Sequence, residues 1–161
     1  LADLKDGVFI MIGSGEEYYE HFFTSAMARH DNFLFLQGFS EELADALYAA
    51  GDLFLMPSSF EPCGISQMLA MRAGTPCIVH EVGGLKDTVE SGVNGFSFRG
   101  DTPSEQAQNM LDTVVTACGT TAKPAVWLNL RRNASNARFS WAVAVQQYQD
   151  LLYTPLLNPK P

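Results

Sequence analysis

Five short, almost continuous apolar runs constrain this chain most strongly. They fall near positions 8–12, 33–36, 53–56, 77–80 and 95–98. A strand with one wet face alternates polar and apolar residues, whereas a strand of a parallel sheet covered on both faces does not. The stretches between carry helix punctuation. Ser40 can cap a helix with Glu41 and Glu42 in its first turn and Gly51 just past its end. Thr102-Pro103-Ser104-Glu105 reads as a capping box with proline at the first helical position. Ala107, Met110, Leu111, Val114, Val115 and Cys118 then recur at helical spacing. A short helix is expected over 85–90, and two longer ones from about Pro124 and about Ser140. Alternation of this kind predicts an α/β chain with a doubly wound, mostly parallel sheet and helices on both faces.

Residues 1–153 are expected to form that single domain, as a piece truncated at its N-terminal side, since Leu1 and Leu4 read as the last turn of a helix begun earlier. The Pro-rich tail over 154–161 is expected to fray. With 10 Lys and Arg against 18 Asp and Glu, the net charge is −8. Such a balance argues against nonspecific binding to nucleic acid or to an anionic membrane surface. No apolar run is long enough to cross a bilayer. Cys63, Cys77 and Cys118 form no C-x-x-C pair, so reduced thiols and a cytoplasmic location are expected.

The richest stretch is 58–67, Ser-Ser-Phe-Glu-Pro-Cys-Gly-Ile-Ser-Gln, between an apolar run and a helix. Ligands of open parallel sheets bind at that edge, outside the carboxyl ends of the strands. The helix mouth offers unpaired N–H groups suited to a phosphate. Glu61 would repel a phosphate, and its carboxylate suits sugar hydroxyls instead. Together these describe a sugar nucleotide. His80-Glu81-Val82-Gly83-Gly84-Leu85 makes a second donor-rich mouth on the neighbouring strand end. The plain alternative there is an ordinary turn. Phe39, after Gly38, either stacks on a base or belongs to the core. Gly13-Ser14-Gly15 suggests a dinucleotide fingerprint, but Tyr18 holds the third glycine position and no acidic residue ends the second strand. His21, His30 and His80 have no metal spacing, and Asn133-Ala134-Ser135 is a chance sequon within a helix.

The chain resembles the C-terminal domain of bacterial glycogen synthases and plant starch synthases, retaining glycosyltransferases of the two-domain GT-B fold. The likeness rests on Pro57-Ser58-x-Phe60-Glu61-Pro62-Cys63-Gly64, on Gly83-Gly84-Leu85-x-Asp87-Thr88-Val89, and on Phe139-Ser140-Trp141. The resemblance implies a Rossmann-like half of that fold and glucose transfer from ADP-glucose, or UDP-glucose, to an α-1,4-glucan. It implies that Glu61 binds the donor sugar's hydroxyls and that amides of Cys63 and Gly64 reach the sugar. Amides of Ile65 and Ser66 would hold the distal phosphate, Phe39 would stack the base, and Gly83, Gly84 and Leu85 would line the sugar-diphosphate side. No cofactor or metal is implied. The partners implied are a nucleotide sugar and, through an N-terminal domain, a glucan acceptor. In two respects the chain departs from the wider pattern. Leu69 stands where many such enzymes carry a second glutamate, and Glu81 puts an acid beside the expected diphosphate. Other readings are a different sugar acceptor, a non-catalytic nucleotide-sugar module, or a nicotinamide-binding domain.

Overall fold

The computed structural model describes residues 7–157. The helical turn expected at Leu1 and Leu4 lies outside them, as do positions 158–161 of the expected tail. The strands are β1 (Phe9–Gly13), β2 (Phe33–Gln37), β3 (Phe54–Met56), β4 (Cys77–His80) and β5 (Gly95–Phe98). The helices are α1 (Glu17–Met27), α2 (Glu41–Ala50), α3 (Ser66–Arg72), α4 (Leu85–Thr88), α5 (Pro103–Thr121), α6 (Pro124–Asn136), α7 (Trp141–Tyr148) and α8 (Thr154–Leu157). Every strand pair is parallel, and a helix links each strand to the next, as the alternation predicts. The expected sheet comes in two parts among the described residues: β1 with β2, and β3-β4-β5 in that order.

The caps explain where the helices begin. Ser40 Oγ accepts the Leu43 N–H at 3.2 Å, and Thr102 with Glu105 forms the full reciprocal box. A π-helical turn over Gln149–Tyr153 joins α7 to α8, so the helix runs on through Leu157 where fraying was expected. Pro155 follows directly on the π-helical turn, as the second residue of α8. Trp141, Leu151 and Leu156 along this run are exposed.

The core is organised by β4, every residue of which is buried. Side chains of a strand point alternately to its two faces. Cys77 and Val79 therefore pack with Ala70, Met71, Leu85, Val89 and Ala134, drawn from α3, α4, α6 and the residue after α4. Ile78 packs on the opposite face with Phe96, Phe98, Val114, Ala117 and Leu130. The β1–β2 part is held by aromatic contacts instead. Phe9 stacks on its register partner Phe33 at 5.5 Å, and Phe23 of α1 meets Phe35 at 5.6 Å.

Ile78→Ala is expected to cost about 2–5 kcal/mol, the range for emptying a packed core position. Val8→Ala, at a position 68% exposed, should change stability by no more than about 0.5 kcal/mol. Urea denaturation midpoints of the two variants check the contrast.

Candidate functional site

Because β3 and β4 are parallel neighbours, the loops after them leave the sheet on the same edge. They then pack backbone against backbone. The Gly84 N–H is shared by the carbonyls of Glu61 and Pro62, at 3.3 and 3.2 Å. A Cβ on Gly84 would stand 2.5 Å from the Cys63 oxygen and 2.7 Å from its Cα. Gly83 has φ +46° and lies directly against the Glu61 carbonyl, so it needs glycine for both conformation and space. Below, His80 Nδ1 lies 2.9 Å from the Ser58 carbonyl; that oxygen can only accept, so Nδ1 carries the proton. The His80 ring stacks on Phe98 at 5.1 Å, which makes it a satisfied core histidine.

This edge presents one carboxylate and a row of amides. The Glu61 side chain is half-buried, and its carboxylate has no hydrogen-bond or ionic partner among the described residues. The N–H groups of Cys63, Gly64, Ile65 and Ser66 likewise have no acceptor there. No side chain caps the first turn of α3. Gly64 has φ +78° and Ile65 is right-handed helical, an alternation that turns successive N–H groups into one concavity. Leu85 differs from its neighbours. Its side chain is fully buried in the core and its amide donates to the Val82 carbonyl at 3.1 Å, so it supports the turn from beneath.

Phe39 stands apart from the loop pair in the chain, after β2, and is 84% exposed. The core alternative for it is thereby excluded. Glu81 is turned toward β5, where its Oε1 accepts from Ser97 Oγ at 2.7 Å. That is the side of β4 away from β3 and from the amide row. The Gly13-Ser14-Gly15 turn is filled by its own chain. Glu20 accepts the Gly15 N–H at 2.9 Å and the Gln37 side chain at 2.6 Å. A carboxylate on that turn disfavours a second anion there, which counts against a dinucleotide. Among the described residues no group of three or more His, Cys, Asp or Glu side chains is placed to share a metal. No described helix is long and apolar enough to cross a membrane.

Sequence reasoning passed over Gln67. It is fully buried, and its Nε2 reaches the carbonyls of Cys63 and Gly64 at 3.1 and 3.0 Å and Thr88 Oγ1 at 3.3 Å. The available signal was an amide side chain three and four residues after two loop carbonyls, in a helix otherwise apolar on that face.

A family profile described as "Glycosyl transferases group 1" matches residues 2–115. The chain belongs to the group 1 glycosyl transferases. It is 41% identical over 147 residues to a glycogen synthase of Fusobacterium nucleatum, covering 89% of this chain and 32% of that protein. It is 43% identical over 161 residues to a glycogen synthase of Bacillus cytotoxicus, covering 96% and 33%. The chain thus spans about a third of the length of the relatives it matches. The catalytic domain of starch synthase IV from Arabidopsis thaliana, solved bound to ADP and acarbose, superposes with a TM-score of 0.73 at 30% identity. The match covers 92% of this chain and 32% of that one. Anabaena HepE in complex with UDP-glucose superposes with a TM-score of 0.60 at 27% identity, covering 91% and 41%. The parallel α/β architecture is therefore that of known glycosyltransferases.

Of the thiols in this group 1 member, Cys63 is exposed at the loop. Burial pushes Cys77 up to about 12 and also raises Cys118. Cys77 Sγ lies 3.4 Å from the Gln67 carbonyl in the core. A raised thiol pKa leaves almost no thiolate, the reactive form, at pH 8. Titration of the folded protein with a chromogenic disulfide at pH 8 should show a fast phase that Cys63→Ser abolishes. Cys77 should react only after denaturation.

Proposed function

We propose that this chain is the donor-binding part of a retaining glycosyltransferase that moves glucose from ADP-glucose, or UDP-glucose, to an α-1,4-glucan. The observation that carries the reading is the row of unpaired amides from Cys63 to Ser66 beside the unpartnered carboxylate of Glu61. Amides alone would suit any anion. Amides with a carboxylate in the same loop suit a molecule with phosphate at one end and hydroxyls at the other. The names of the relatives, glycogen synthases, and the ADP and UDP-glucose in the solved neighbours support the same class of donor.

In this reading Glu61 accepts hydrogen bonds from the glucose hydroxyls and sets the sugar's orientation, while the amides of Cys63 and Gly64 reach its oxygens. The amides of Ile65 and Ser66 hold the distal phosphate. As the bond from C1 to the phosphate oxygen breaks, negative charge grows on the diphosphate. Donors already aimed at that charge lower the barrier without reorganising. The acceptor hydroxyl oxygen then bonds to C1 on the face the phosphate leaves, and its proton passes to the departing diphosphate oxygen. Glu61 orients the sugar rather than attacking it, since a glycosidase-type step needs a second carboxyl group across the bond. Phe39 stacks the base. The acceptor site and the cations that balance the diphosphate belong to the remainder of the protein, so this chain alone is inactive, and the whole protein works in the cytoplasm. UDP-glucose stays open as the donor because HepE was solved with it.

In the full-length protein, Glu61→Ala should lower kcat by about 100-fold or more, the scale of losing one preorganised transition-state contact. Its Kd for ADP should stay close to that of the wild type. Equal collapse of both quantities would show that Glu61 serves the nucleotide and not the sugar. Phe39→Ala should weaken ADP binding by about 2- to 10-fold, the range for one lost stacking contact. Calorimetry with ADP and glucan-elongation kinetics with ADP-glucose and UDP-glucose read these outcomes. Elongation by residues 1–161 alone would refute the division of labour.

A further inference from the structure

We infer that Gln67 is the positioning residue that aims the amides of the donor loop, a role that rests on the donor-site reading above. In a planar trans peptide the C=O of one residue and the N–H of the next point in opposite directions. Gln67 Nε2 draws the carbonyls of Cys63 and Gly64 inward, at 3.1 and 3.0 Å. The N–H groups of Gly64 and Ile65 belong to those same two peptide units, so they are turned outward. The inward pull of one buried side chain is thus the outward presentation of two site amides.

The direction of the carboxamide is settled by its surroundings. Its nitrogen faces two carbonyls, which have no hydrogen to give, and Thr88 Oγ1. Thr88 spends its own hydroxyl proton on the Gly84 carbonyl at 2.9 Å, so toward Gln67 it can only accept. A flipped amide would set oxygen against three acceptors. The bonds therefore form a relay from the Cys63 and Gly64 carbonyls, through Gln67 and Thr88, to Gly84 on the second loop. Gln67 ties the aim of the amides to the glycine turn beside them.

The other end of the side chain marks the position as more than packing. Gln67 Oε1 is buried and has no hydrogen-bond partner among the described residues. It lies against Gly64, on the side where any larger residue would carry its Cβ. An orphaned buried acceptor disfavours the folded state. An apolar side chain of the same shape would remove that orphan, but it would leave the Cys63 and Gly64 carbonyls without their donor. Loss of Gln67 thus costs stability as well as presentation, and only a titratable group at this position separates the two, because its donor comes and goes with pH.

The test uses the full-length protein, with ADP as the probe. Gln67→Met should lower the melting temperature, because it strands the Cys63 and Gly64 carbonyls, and should weaken ADP binding by roughly tenfold, the scale of misaimed hydrogen bonds to a charged group. Gln67→Glu gives the sharper readout. Its carboxylate repels the two carbonyls, but its protonated form donates to them. Its ADP affinity relative to wild type should therefore recover as pH falls from 8 to 5.5, whereas that of Gln67→Met stays flat. Wild-type ADP affinity within threefold in Gln67→Met, or no pH-dependent recovery in Gln67→Glu, overturns the inference. If the methionine variant does not fold, the pH series of the glutamate variant decides alone. Failure of the donor-site reading is distinguishable, because the wild type would then bind neither ADP nor ADP-glucose.

Discussion

The site depends on one close approach, main chain against main chain, between the loops that follow β3 and β4. A single N–H, that of Gly84, is divided between the carbonyls of Glu61 and Pro62. Side chains would hold the loops apart. Glycines at 83 and 84 let them touch, and a Cβ at 84 would collide with the Cys63 backbone. The parallel register of β3 and β4 brings the loop ends together, and fully buried β4 keeps that register rigid. Rigidity matters because preorganised donors are effective only when they need not move during the reaction.

Charge is distributed to the same end. The chain is acidic overall, so an anion site on it must rest on neutral backbone donors or on cations from elsewhere. Two acids at neighbouring strand ends are engaged within the chain. Glu81 is held toward β5 by Ser97, and Glu20 is committed to the Gly15 amide and Gln37. Glu61, in the same loop as the amide row, has no partner among the described residues. An unpaired carboxylate and unpaired amides side by side are complementary to a ligand that carries both donors and anionic oxygens.

Much of the fold was legible in the residues. Unalternating apolar runs marked the strands within a residue or so, because burial on both faces leaves no polar position. Ser40 and the Thr102–Glu105 box marked helix starts, because capping is a local hydrogen bond. The continuation of the helix through Leu157 was missed, since a Pro-rich tail reads as frayed unless the helix before it reaches that far. The division of the sheet into two parts was also invisible, because pairing between strands far apart in sequence leaves no local pattern.

For the site, the residue types were readable and their arrangement was not. Sequence alone determined that a carboxylate, a glycine and a helix start would share one loop, and that a glycine pair would follow the next strand. These follow from local chemistry and chain order. Only the tertiary structure decided that the glycine pair lies against that loop, that Phe39 is exposed while Leu85 is buried, and that Gln67 reaches back to two carbonyls. Each of those facts depends on which surfaces meet when parallel strands are brought side by side, and no window of sequence contains that information.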